Sequence, residues 1–132
     1  MESLKPMENY NEWLKCAERD LGASKVMISS DFYNGSVFWA HDSVEKSLKA
    51  FLVFNHKEGD KTTHDLEKLA LDCSHLDNSF SALIPIVKNI NGWGEQVSYP
   101  DVEGTFDATI QHCETVISVA EKVYSFVLQK AA

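Results

Sequence analysis

The segment FWAHDSVEKSLKAFLVF, Phe38 to Phe54, constrains this chain more than any other. Read as a helix, it is apolar on almost every side at both ends, while His41, Asp42, Glu45, Lys46 and Lys49 occupy its middle. At 100° per residue these five positions fall within an arc of roughly 140°. A helix this apolar belongs at the centre of a core, with other helices packed around it. Its charged arc must then be a solvated flank, or be covered by another helix, a second subunit or a ligand. The rows His41–Glu45–Lys49 and Asp42–Lys46 place acid before lysine at i, i+4, the stabilising order on an exposed face. That explains the lysines, but not why Phe38, Trp39, Leu52 and Val53 crowd the same side.

Helical periodicity supplies the surrounding elements. A first helix is expected from about Met7 to Ser29, with Tyr10, Trp13, Leu14, Ala17, Leu21, Ser24 and Ile28 on one face. The turn formers of SSDFYNG end it, and the central helix follows to about Asn55. After the polar stretch NHKEGDKTT, Thr62 or Thr63 is expected to cap a short third helix, HDLEKLALDCSHL, with Asp65 and Glu67 favourable in its first turn. A fourth helix from about Ser79 to Asn91 contains Pro85, which predicts a kink or a late start. NGWGEQVSYPDVEG reads as a loop. The last helix, capped by Thr105, shows a seam of Phe106, Ile110, Cys113, Ile117, Ala120, Tyr124 and Val127. Sustained period-two runs are absent, so the expected fold is all-α: a four- to five-helix up-and-down antiparallel bundle forming one domain over residues 1–132, with its core at about 7–128.

Charge and cysteine usage narrow the function classes. The net charge of −8 opposes general nucleic-acid binding, because phosphates would meet a repulsive field. Between Glu45 and Lys68, however, five lysines balance five acids, so this is where an anion would bind. Cys16, Cys73 and Cys113 are three, widely spaced and without a C-x-x-C, which suggests reduced thiols and no zinc site. His64 and His75 on one helix would lie about 16 Å apart along the axis, too far to share a metal. No apolar run approaches the roughly 20 residues that span a bilayer, and no secretory signal is evident, so a cytoplasmic protein is expected, with no membrane contact, metal or cofactor.

Four blocks in order resemble the HEPN domain, the higher eukaryotes and prokaryotes nucleotide-binding domain. Trp13, Leu14, Ala17, Asp20 and Leu21 match its W-L-x-x-A-x-x-D-L-x-x-A block, with Ala23 one position short of the final Ala. Phe38, Glu45, Lys46, Leu48, Lys49 and Ala50 match the second, His64, Asp65 and Leu66 the H-D-L block, and Tyr99, Pro100 and Asp101 most of R-Y-P-D. The resemblance implies a helical bundle, commonly a homodimer, that binds nucleotide, RNA or a partner protein. Some members are ribonucleases, often toxins paired with a small nucleotidyltransferase antitoxin. Those carry an Arg followed four to six residues later by His. Here Arg19 is the only arginine, no His follows it at that distance, and Ser98 stands at the Arg position of the R-Y-P-D block. A serine cannot supply the permanent cation that a scissile phosphate needs.

The expected function is therefore a dimeric binding module without catalysis. The alternative is a divergent metal-independent ribonuclease, the toxin half of a toxin–antitoxin pair, with His64 or His41 as base. Candidate nucleotide- or partner-binding residues are His41, Glu45, Lys46, Lys49, His64, Asp65, Tyr99 and Asp101, with phosphate contacts expected around Lys46, Lys49 and His64. Each also has a plainer reading: His64 and Asp65 finish a helix start, and Tyr99 and Asp101 initiate the last helix. Trp93, between two glycines, could swing out to stack on a base or plug the end of the bundle.

Overall fold

A computed structural model describes residues 6–56, 63–100 and 104–131. They form α1 (Pro6–Ser29), α2 (Tyr33–Phe54), α3 (Leu66–Leu76), a 3-10 turn over Asn78–Leu83, α4 (Ile84–Ile90), α5 (Trp93–Ser98) and α6 (Ile110–Lys130), with no strand among the described residues. The fold is all-α, as the periodicity predicts.

α2 is the central element. Val37, Ala40, Val44, Leu48 and Ala50 have no exposed surface, and Phe51, Leu52 and Val53 are buried with them. Small polar residues let α1 approach closely: the Ser36 hydroxyl donates to the Ser24 carbonyl at 2.9 Å, and the Ser43 hydroxyl to the Ala17 carbonyl at 2.7 Å. As α2 advances from 36 to 43, α1 recedes from 24 to 17, so the two run antiparallel. α6 also opposes α1, since Lys25 meets Glu121 while Glu18 meets Tyr124. Phe80 of the 3-10 turn closes the core between Phe51 of α2 and Phe126 of α6.

Three boundaries differ from the sequence reading, and at Pro85 the late start it allowed is the outcome. Asp65, not a threonine, caps α3: its carboxylate accepts from the Lys68 amide at 3.2 Å, and Asn91 locks it by donating to the same oxygen at 2.8 Å. Thr63 accepts only from the Asp65 amide, and Thr62 lies outside the described residues. Pro85 sits in the first turn of α4, where its missing N–H costs nothing, so the helix starts late. The stretch read as a loop contains α5, entered through Gly92 at φ +87°, a backbone state that glycine adopts freely. Finally, α6 begins after Thr109 rather than Thr105. There His112 completes a capping box, its Nδ1 accepting from the Thr109 amide at 2.9 Å. Phe106 lies before the helix, and Trp93 packs edge-on against it and His112, with centroids 5.8 and 5.0 Å away. Trp93 is thus part of the packing at this end of the bundle rather than a swinging ring.

Candidate functional site

The charged arc of α2 divides into two clusters. His41, Glu45 and Lys49 retain only 6, 5 and 5% of their exposure, so this row is not a solvated flank. α5 and the approach to α3 cover it. Glu45 joins the cluster: Oε1 lies 2.8 Å from His64 Nδ1, and Oε2 accepts from Lys49 Nζ at 2.9 Å. Lys49 also sits 5.8 Å from the centre of the Trp13 ring, a cation–π contact. Burial strengthens each of these contacts, but it equally penalises any partner left unmatched.

Lys46 belongs to the second cluster. It bridges Asp20 of α1 at 2.8 Å and Asp42 at 2.9 Å. Burial alone would lower its pKa, but the hydrogen bonds it donates to both carboxylates, with their negative charge, outweigh that and hold the ammonium well above the ordinary lysine range. The Asp20 carboxyl is pushed up, chiefly by burial and further by Asp42, against the pull of Lys46. Lys46 therefore pins α2 to α1. It does not line the cleft described next, and neither does Lys49.

That cleft opens between α2, α5 and the start of α3. Its narrower lobe, about 250 Å³, is lined by Phe38, His41, Asp42, Glu45 and His64 and closed by α5 through Gly94, Glu95, Ser98 and Tyr99. A more open lobe continues past His64 and Asp65 to Asn91. Of the residues singled out from sequence, His41, Glu45, His64, Asp65 and Tyr99 come together here, and Asp101 lies outside the described residues. Gly94 and Glu95 were not singled out. Gly94 lies close over His41: a Cβ there would stand 3.0 Å from the imidazole Nδ1. Ser98 uses its hydroxyl inside α5, donating to the Gly94 carbonyl at 2.6 Å.

His41 is the strained member of the site. Burial lowers its pKa, against the attraction of Glu45 and Asp42 and with some help from His64, and its buried Nε2 has no hydrogen-bond partner among the described residues. The unfolded chain therefore takes up a proton before the folded one as pH falls. Stability from this residue is complete above the ordinary histidine value of 6.5 and declines as pH drops toward the lower folded value. Urea unfolding at about pH 8 and about pH 5.5 is expected to show this loss, and His41→Leu to flatten it. An unchanged slope in the variant would assign the acid sensitivity elsewhere.

The family model described as HEPN domain matches residues 10–130. Two solved structures share the fold: an archaeal HEPN homologue at 20% identity, covering 93% of this chain and 98% of that one with a TM-score of 0.74, and the Thermus thermophilus protein TT1696 at 18% identity, covering 92% and 97% with a TM-score of 0.79. A search of curated proteins finds no match. No described helix is long and apolar enough to cross a membrane.

Proposed function

The chain belongs to the HEPN domain family, and on that premise we propose that it is a non-catalytic binding module whose ligand is a partner protein, received in the cleft between α2 and α5. The observation that carries this reading is the cleft wall itself. Its described lining holds Asp42, Glu45, Asp65 and Glu95 but no lysine or arginine. A nucleotide phosphate or an RNA backbone would meet carboxylates there, whereas a protein surface can bring its own complementary charge. Catalysis lacks support for a related reason. Metal-independent phosphodiester cleavage wants a fixed cation beside its base, and Ser98, at the family's Arg position, is engaged by a backbone carbonyl.

The module acts as a homodimer in this proposal, as the family resemblance implies; light scattering tests that element, and a monomer at high concentration removes it while leaving the cleft's role standing. Calorimetry at low salt is expected to show no heat with mononucleotides or short RNA.

One contact favours a second reading. The 2.8 Å approach of Glu45 to His64 Nδ1 fixes the ring of a residue that is otherwise exposed, an arrangement that could leave Nε2 available as a base. That would suit a divergent ribonuclease, the toxin of a pair with a nucleotidyltransferase. Purified protein is expected to leave RNA intact. Cleavage that disappears in His64→Ala would replace the binding reading with this one.

A further inference from the structure

Resting on the partner-binding reading, we propose that the narrower lobe of the cleft receives an arginine side chain of the partner protein. At about 250 Å³ this lobe is smaller than the roughly 300–1,000 Å³ of sites that enclose small molecules, a size suited to one long side chain. Its charged wall is not uniformly available. Asp42 is held by Lys46, and Glu45 by His64 and Lys49. Glu95 differs: it is exposed on α5 and makes no ion pair or side-chain hydrogen bond among the described residues. Beside it is the His41 ring, 6% exposed and lining both lobes, with an unpartnered Nε2. A neutral imidazole keeps one ring nitrogen as an acceptor.

The lobe thus combines a spare carboxylate, a buried heterocycle with unused hydrogen-bonding capacity, and two aromatic rings, Phe38 and Tyr99. A guanidinium fits this set. It is planar, stacks on aromatic faces, forks its donors onto a carboxylate and sheds water more readily than an ammonium. Its source is a basic partner, complementary in charge to a chain of net charge −8, since a second copy of this chain could offer only its single arginine, Arg19.

The test is a titration of isotope-labelled protein at low ionic strength, followed by NMR. Three probes are compared: a capped glycyl-arginyl-glycine peptide, the same peptide with neutral citrulline in place of arginine, and AMP. The arginine peptide is expected to shift the amides of Gly94, Glu95 and Tyr99, with the citrulline peptide binding about tenfold more weakly. Glu95→Gln, an exposed change, is expected to weaken the arginine peptide about fivefold without moving the melting temperature. Equal binding of the two peptides, silence from both, or shifts from AMP alone would overturn the proposal. Self-association lost in Arg19→Gln, with the same amides shifting on concentration, would assign the lobe to a second copy and overturn it too. Silence from the peptides while RNA stays intact removes this inference alone, whereas RNA cleavage by the protein removes the reading beneath it.

Discussion

Replacing Glu45 with alanine is expected to lower the free energy of unfolding by about 3–5 kcal/mol, a large part of the roughly 5–15 kcal/mol that holds a domain together. Glu45 is 5% exposed and both its oxygens are engaged, one by His64 and one by Lys49. Removing the carboxylate leaves the Lys49 ammonium in the same low-dielectric setting without its 2.9 Å partner. Lys49→Met is expected to cost less, since Glu45 keeps His64 and the methionine still covers Trp13. The double variant Glu45→Leu with Lys49→Met is expected to recover most of the single loss, because a buried ion pair exchanged for apolar groups of similar volume is often neutral. Urea unfolding of the unaltered protein, Glu45→Leu, Lys49→Met and the double variant gives the coupling directly. A cost below about 1 kcal/mol for Glu45→Ala would mean that the carboxylate is hydrated after all.

Phe80→Ala is expected to destabilise by a similar amount, about 3–5 kcal/mol, through an unrelated cause. The ring is wholly buried, with centroids 4.3 Å from Phe51 and 4.9 Å from Phe126. Truncation opens a cavity at the junction of α2, α6 and the 3-10 turn and removes two aromatic contacts. Phe80→Leu, which refills part of the space, is expected to cost less. The melting midpoint should fall in that order, and midpoints that coincide for the two variants would show that the core collapses around the gap.

How far the sequence foretold this molecule depends on element length. α1, α2 and the body of α6 were legible because two dozen or so residues repeat a helical period several times. α5 was not, since six residues carry no period and its entry depends on the positive φ of Gly92. The start of α6 was misplaced because two threonines compete, and Thr109 wins through a histidine at the place where a capping box usually has Glu or Gln. At the site, the His41–Glu45–Lys49 row was visible as a stripe, but not its cover, which comes from α5 and from His64, 19 residues beyond Glu45. Lys46 and Lys49 looked equivalent on a helical wheel. Only the position of Asp20 on α1 separates a lysine that clamps two helices from one that sits over Trp13. The family resemblance rested on four short blocks in order, and the family model matches residues 10–130, the span that contains them.

The serine pegs between the first two helices restrict how this protein can respond to whatever it holds. Ser36 and Ser43 each hang on a carbonyl of α1, seven residues apart on α2 and seven apart on their acceptors. Sliding one helix past the other has to break both bonds at once. The two bonds resist a slide of α1 along α2, whereas the short α5, which buries none of its residues, rests over His41 with less to hold it.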